Sequence, residues 1–309
     1  GGILQHIEAA GIHSGDSAAV FPPYASTPEI LEQMRNAAQD IALKLQIIGF
    51  MNIQFAVQNG QLYVIEVNPR ASRTIPFISK MSQVDLVETA VRIWEGEDLV
   101  SQGLVDHLGG IGEGVCRYGW AVKEAVFSFN RFIGLDPQLG PEMRSTGEVI
   151  GIGSSFGEAF AKSQIAAGNQ LPTTGRVCIS VNKRDRKTVI PLALKLQDLG
   201  FSLAATRGTA RDLFDAGIVC ETMLKTDEGH PNILDHMQHQ RIDLLINTPM
   251  GKRAQRGEEN LRSAALHASI PYTTTLSAAA AAIEGIRYLR GGQITVQAIK
   301  TKQAPSQGA

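Results

Sequence analysis

The stretch VIEVNPRASRT, residues 64–74, places chemistry at the end of a strand. Val64, Ile65 and Val67 favour an extended, half-buried backbone, and Glu66 and Asn68 interrupt them. Pro69 stops the strand, and Arg70 and Arg73 follow. A carboxylate and an amide are hard oxygen donors, suited to Mg²⁺ that also keeps phosphate oxygens and waters in its shell. Guanidinium groups just beyond can grip phosphoryl oxygens bidentately. Parity extends the set. Across residues 51–68, odd positions Ile53, Phe55, Val57, Tyr63, Ile65 and Val67 are apolar, whereas even positions include Gln54, Glu66 and Asn68. One face of a hairpin is then expected to be core and the other to carry the polar groups. A strict two-residue turn at Asn59-Gly60 would set Gln54 against Ile65. A three-residue turn with left-handed Gly60 is therefore expected. A solvated polar face with surface arginines fits the same alternation.

A second set of candidates is anion-binding. In ATRGTARDLF, Thr206, Gly208 and Thr209 lie between a strand and a helix, where backbone N–H groups and the helix N-terminus attract an anion. The run KRDRK (residues 183–187), Lys225, and Asn247-Thr248 also close predicted strands. In a doubly wound sheet such ends meet at one crevice. Singly, each is a capped helix or a solvated charge run. The run GIGSSFG also follows a strand, but its spacing is GxGxxxG and no acidic ribose reader closes the next strand. The loop EMRSTGE around Arg144 reads as a structural network rather than a site wall.

The elements that must position these groups are legible by pattern. STPEILEQMRNAAQDIALKLQI predicts a helix capped by Ser26 with Glu29, with Pro28 in its first turn. The hairpin 51–68 follows, then a helix near 84–95. A glycine-rich, loop-rich stretch runs to about Asp136, followed by a loop, a strand and a helix within GPEMRSTGEVIGIGSSFGEAFAKSQ. The text turns polar in AAGNQLPTTG, where a domain boundary is expected near residue 168. Beyond it strands (RVCISV, FSLAAT, DLLINT, YTTT) alternate with helices, the last alanine-rich from Ser277. That predicts a parallel, doubly wound sheet. The tail TKQAPSQGA reads as disordered.

Totals bound the rest. The 309 residues suffice for two domains, 43% are hydrophobic, and the net charge of −1 gives no electrostatic case for nucleic acid or an anionic membrane. No apolar run reaches the roughly 20 residues of a membrane span. Cys116, Cys178 and Cys220 have no metal-ligand spacing and read as reduced thiols of a cytoplasmic protein. The first residues carry no signal-peptide pattern and read as if cut within an element.

MNIQFAVQNGQLYVIEVNPRASRTIPF, GIHSGDS, SFNRFIGLDPQLGPEMRSTGEV and ATRGTA together resemble the carbamoyl-phosphate synthase large chain, in order and over essentially the whole sequence. The resemblance is to the end of its second ATP-grasp half (residues 1–168) followed by its methylglyoxal-synthase-like regulatory domain (169–309). The implied fold class is α/β: an α+β ATP-grasp half, then a doubly wound parallel domain. The implied activity is MgATP-dependent phosphorylation of carbamate to carbamoyl phosphate, a ligase reaction serving pyrimidine and arginine biosynthesis. By this resemblance Gln54, Glu66 and Asn68 hold Mg²⁺ or Mn²⁺, with K⁺ as a further cation. Arg70 and Arg73 face phosphate, and Gly11, Ile12, His13 and Ser14, with Gln54 and Glu66, line ATP. The effector pocket falls on Arg186, Thr206, Thr209, Lys225, Asn247 and Thr248, and binds nucleotide monophosphates. Asn247 is expected to meet ribose or base. An ornithine site falls on Glu8, Asp16, Glu124, Tyr272 and Thr274. Implied partners are a glutaminase small subunit and the remaining, N-terminal part of the large chain, without which the ATP site is incomplete and the isolated chain is expected to be inactive. Arg186, Arg207 and Pro249 depart from common family residues. A regulatory nucleotide-binding module without catalysis is the alternative. A methylglyoxal synthase lacks its paired acidic-glycine motif here, and a nicotinamide oxidoreductase would rest on GIGSSFG alone.

Overall fold

The first half of the chain runs β1 (Gln5–His6), β2 (Ala19–Phe21), α1 (Pro28–Lys44), β3 (Asn52–Gln58), β4 (Gln61–Asn68), α2 (Thr74–Ser82), α3 (Leu86–Trp94), β5 (Trp120–Val126), β6 (Gly147–Gly153) and α4 (Phe156–Ala166). The computed structural model describes residues 1–104, 115–129, 137–248 and 255–299, with backbone only for 255–259. Pro249 and the tail TKQAPSQGA lie outside the described residues.

Helix α1 starts one residue later than the capping pattern suggests. Thr27, not Ser26, is the N-cap, extended at ψ 156° and accepting from the Ile30 N–H. Pro28 decides this: it has no N–H to lose at N1, and it bars the preceding residue from helical geometry.

The hairpin β3–β4 solves its parity problem differently from the expectation. Its turn is the strict two-residue Asn59-Gly60, both left-handed at φ 52° and 75°. Gln58 pairs with Gln61, and this register continues to Phe55 opposite Val64. A β-bulge then absorbs Ile65, so that Gln54 pairs with Glu66, Ile53 with Val67 and Asn52 with Asn68. The polar groups share a face because of the bulge, not a longer turn. The odd positions do not form one buried face: the two-residue turn sets Val57 opposite Leu62 and Tyr63 opposite Ala56, and Val57, Tyr63 and Ile65 are 45%, 49% and 51% exposed. The hairpin is a two-stranded ribbon, which α1 touches along β4.

The antiparallel sheet β1-β2-β5-β6 is covered on both faces. Phe21, Ala121 and Ile152 meet Phe77, Ile78 and Met81 of α2 on one side. Val20 and Val122 meet Ala159 and Phe160 of α4 on the other. Strand β5 lies in the stretch expected to be loop. It escaped detection because it is buried on both faces yet carries Lys123 and Glu124 at its centre, 1% and 7% exposed, which erases the period-two signal. Helix α2 was also not anticipated.

The second half is the expected doubly wound sheet. It runs β7 (Arg176–Ser180), α5 (Arg186–Asp198), β8 (Ser202–Thr206), α6 (Arg207–Asp215), β9 (Glu221–Met223), α7 (Ile233–Gln238), β10 (Leu244–Asn247), α8 (Gln255–His267), β11 (Tyr272–Thr273) and α9 (Leu276–Gly291). Strand order is β11-β10-β7-β8-β9, all parallel. Only the short β9 and α7 were not anticipated. Val177, Ile179, Leu203, Ala205, Leu244 and Ile246 face one core, and Cys178, Ala204 and Leu245 the other. The three cysteines are free thiols.

The alanine run has a packing reason. Ala279, Ile283 and Ile286 of α9 enter the core of the parallel sheet, while Ala281 and Ala282 enter that of the antiparallel sheet. Small side chains let one helix be buried on two sides. Two glycines of GIGSSFG let α4 pack closely, Gly151 against its own sheet and Gly157 against α9. A Cβ on Gly151 would collide with the Ala159 carbonyl, and one on Gly157 would lie 2.6 Å from the Glu284 carbonyl oxygen of α9. Gly157→Ala should therefore force α4 and α9 apart and cost about 1–3 kcal/mol by overpacking, exceeding any gain in helix propensity. Urea unfolding of the variant checks this, and an unchanged midpoint would show that the two helices can separate freely.

Candidate functional site

Three short segments carry the candidate site residues of the first half. The first is the strand pair itself. Cross-strand partners project to the same side, so Gln54 and Glu66 stand side by side, with Asn52 and Asn68 the next pair. The Asn68 amide donates to Glu66 Oε1 at 3.0 Å, which fixes both carbonyl-type donors near the strand end. Among the described residues no group of three His, Cys, Asp or Glu could hold a metal. The set here is one carboxylate and amides. That suits a hard cation whose remaining ligands are phosphate oxygens and water.

Arg70 and Arg73 diverge. Arg70 is exposed and its Nη1 donates to the Ala71 carbonyl at 3.0 Å. Arg73 occupies the N-cap of α2, and its Nη1 reaches Ser145 Oγ at 3.3 Å, 72 residues away.

The second and third segments are residues 11–17 and 137–146, knitted together. The His13 N–H donates to the Gly140 carbonyl (2.8 Å), and His13 Nδ1 accepts from the Gly15 N–H (3.0 Å). Asp16 is 1% exposed and accepts from the Arg144 N–H at 2.7 Å and the Ser145 N–H at 2.9 Å, one per oxygen. Ser145 Oγ donates to the Gly15 carbonyl at 3.1 Å. The loop around Arg144 is thus the structural network expected, and it also holds Arg73. Asp16 was assigned to a cation site, but its oxygens are directed to these two amides.

Glu8 and Glu124 form a different acidic pair, the first half-buried and the second buried. Gln164 of α4 donates to Glu124 Oε2 at 2.6 Å, and Glu8 Oε2 is buried without a hydrogen-bond partner. Burial pushes the Glu8 carboxyl up to about 7, against the pull of backbone N–H groups and Lys123. Burial and then the neighbouring Glu8 push Glu124 well above the usual carboxylate range. Burial, aided by Lys123, lowers His6 to about 4. Lys123, missed by sequence reasoning, contacts the Ser14 carbonyl and Glu148, each at 3.4 Å. Between Tyr272 and Thr274, the Thr273 hydroxyl is buried without a partner.

In the parallel sheet, Thr206 closes β8, Asn247 closes β10 two strands away with Thr248 directly after it, and Thr209 and Arg186 sit in the first turns of α6 and α5. Thr206 Oγ1 donates to Thr209 Oγ1 at 3.4 Å. The Arg186 guanidinium lies over Gly208, where a Cβ would collide with it, and 3.7 Å from Asp212. Arg186 Nε is buried without a partner. Lys225 follows β9 in a turn closed by its N–H to Glu228. Asn247 differs from expectation. It is fully buried, its amide donates to the Ser180 carbonyl at 3.1 Å, and its oxygen accepts from Arg262 at 3.4 Å. Both polar atoms of its side chain are thus engaged in the crevice floor. Thr248 Oγ1 accepts from the backbone and side chain of Asn182, both at 3.0 Å. Asn182 lay unnoticed just before a charge run, although the strand-end rule marks its position. A cleft of about 550 Å³ opens at the opposite edge of this sheet, lined by Arg176, Glu221, His236 and Asp243 among others.

Residues 4–102 match the family described as carbamoyl-phosphate synthase L chain, ATP binding domain, and residues 188–274 match the MGS-like domain. The chain is 47% identical to a carbamoyl phosphate synthase large chain of Acidobacterium capsulatum over 98% of its own length and 28% of that protein's. It is 46% identical to a carbamoyl phosphate synthase large chain, C-terminal section, of Methanopyrus kandleri, covering 55% of it. It is 41% identical to a carbamoyl phosphate synthase large chain of Methanosarcina barkeri over 97% of itself and 74% of that chain. No described helix is long and apolar enough to cross a membrane.

The Glu8 shift predicts a pH dependence. Its folded value, about 7, exceeds the ordinary 4.5, so between these limits the folded chain holds a proton that the unfolded chain releases, and Glu8 costs stability as pH rises. His6 acts oppositely in part of that window, so the readout is a difference. The melting temperature of Glu8→Gln minus that of wild type should grow from pH 4.5 to 7.5 and then level. A difference independent of pH would place Glu8 in water.

Proposed function

The chain belongs to the carbamoyl-phosphate synthase large-chain family, and on that premise we propose that it contributes the final part of a carbamate-phosphorylating site together with a regulatory domain. Residues 1–168 are the ATP-grasp part and residues 169–309 the regulatory part. The chain spans 28% of the Acidobacterium capsulatum relative and 55% of the Methanopyrus kandleri relative, so the activity belongs to the larger assembly. That assembly comprises the rest of the large chain and a glutaminase small subunit.

The observation that carries the reading is the direct pairing of Gln54 with Glu66, on the face that ends at Arg70 and Arg73. ATP is the phosphoryl donor. Gln54, Glu66 and Asn68 would hold Mg²⁺ or Mn²⁺, which neutralises phosphate charge when bound. Arg73, steadied by Ser145, and Arg70, which swings from the Ala71 carbonyl, stabilise the charge that spreads over the phosphoryl oxygens during transfer. The loop Gly11–Ser14, fixed by Gly140 and Lys123, lines the nucleotide and excludes water from an acyl phosphate that would otherwise hydrolyse. In the full-length large chain, Glu66→Ala should lower carbamoyl phosphate synthesis from carbamate and MgATP by about a hundredfold or more. Unchanged turnover would remove this face from the site and favour a purely regulatory role for the chain.

The regulatory reading has two parts. A nucleoside monophosphate docks its phosphate at the α6 N-terminus between Arg186, Thr206, Thr209 and Lys225, with Thr248 beside it and Asn247 beneath. The unpartnered Arg186 Nε supports an anion there. A cationic amino acid such as ornithine neutralises Glu8 and Glu124 near Tyr272 and Thr274. The unsatisfied Glu8 and Thr273 oxygens support that site. Charge-assisted bonds outweigh neutral ones. Lys225→Ala should therefore weaken UMP or IMP by roughly 1.5–3 kcal/mol and Thr209→Ala by about 1 kcal/mol. Calorimetric titration checks both, and binding indifferent to Lys225→Ala would move the phosphate to another wall.

A further inference from the structure

Arg262 of α8 is among the largest fully buried side chains, 1% exposed, and it does not lie within either proposed binding site. Its two terminal nitrogens point to different halves of the chain. Nη1 donates to Asn247 Oδ1 at 3.4 Å, beneath the crevice of the parallel sheet. Nη2 donates to Gln138 Oε1 at 3.2 Å, in the loop of the first half. A guanidinium is planar, so an acceptor that moves one nitrogen re-aims the other.

Both ends continue through hydrogen bonds. On the crevice side Asn247 holds the Ser180 carbonyl, and the adjacent Thr248 holds Asn182 at the end of β7. On the other side the Gln138 carbonyl accepts from Arg144 Nη1 at 3.3 Å. Arg144 and Ser145 give their N–H groups to Asp16, and Ser145 Oγ accepts from Arg73. Every step from the crevice floor to Arg73 is a named contact, running from fully buried groups at Asn247 and Arg262 to exposed ones at Arg144 and Arg73, and its midpoint is one arginine.

We infer that Arg262 and Gln138 are positioning residues that couple the effector crevice to the loop holding Arg73, so that occupancy of the crevice changes how firmly residues 144–145 are clamped on Asp16. The inference rests on the crevice reading for its ligand, but not for the bridge itself. Intermediacy in space is only an association, and a shared contact must be shown by a cycle.

The test uses the whole chain and measures hydrogen exchange at the Arg144 and Ser145 amides in wild type, Gln138→Leu, Arg262→Met and the double variant, without ligand and with UMP or IMP. Exchange at Leu245, in the buried β10, reports that the fold is intact. Should Arg262→Met fail to fold, Gln138→Leu, at a half-buried position, carries the test alone. Without ligand each single change should speed both amides by about fivefold, as for one lost hydrogen bond, and the double variant should be no faster than the faster single. Unchanged exchange in Gln138→Leu, or additive effects in the double variant, overturns the bridge. With ligand, wild type should show altered exchange at both amides, while Gln138→Leu binds the nucleotide but shows none. An equal response in Gln138→Leu overturns the coupling. If neither nucleotide binds wild type, the crevice reading falls, and the ligand-free cycle still decides whether the bridge holds the loop.

Discussion

Two hydrogen bonds from backbone amides to one buried carboxylate hold the first half together. Asp16 accepts from Arg144 and Ser145 at 2.7 and 2.9 Å. These partners lie 128 and 129 residues away, so no local propensity could bring them together. A buried carboxylate without such donors is costly, and two buried N–H groups without an acceptor are nearly as costly. Removing either side leaves the other stranded. The loop 11–17, the loop 137–146 and Arg73 are therefore held as one unit, and Arg73 is tethered by Ser145.

A second constraint is that the two halves share a helix. Alanine-rich α9 inserts into the cores of both sheets, and Gly157 lets α4 lie close to its backbone. Beside this apolar contact, β5 brings Glu124 to the side of α4, where it meets Gln164. Lys123 contacts the Ser14 carbonyl instead. The raised Glu8 and Glu124 carboxyls are thus a consequence of where β5 is buried. A proton offsets the cost of that burial, and Lys123, beside Glu124 on β5, touches the loop 11–17. Chemistry and packing meet on the same seven residues.

What could be read without coordinates was what depends on short-range rules. The parallel sheet followed from strands alternating with helices, and each strand recurs within a few residues of its expected place. The helix of residues 28–44 was visible from Pro28 and its apolar spacing, although Pro28 moved the cap from Ser26 to Thr27. The shared face of Gln54, Glu66 and Asn68 was correctly expected, but for the wrong reason. The Asn59-Gly60 turn is the two-residue turn that its sequence favours, and the correction is a bulge at Ile65. Ile65 looks like any strand residue, since a bulge is chosen by the register of the partner strand.

The sequence by itself determined the residue types of the site, their order, and the elements that local propensity and periodicity can specify. Tertiary structure decided which of those groups are accessible. It buried Asn247 and Asp16 and occupied their polar atoms with Ser180, Arg262, Arg144 and Ser145. It left Val57, Tyr63 and Ile65 exposed where alternation expected a core. It hid β5 behind Lys123 and Glu124, and it drew Arg262 to Gln138 across 124 positions. The physical reason is common to all of these. Burial and hydrogen-bond satisfaction are set by neighbours distant along the chain, whereas alternation and capping report only on neighbours a few residues away.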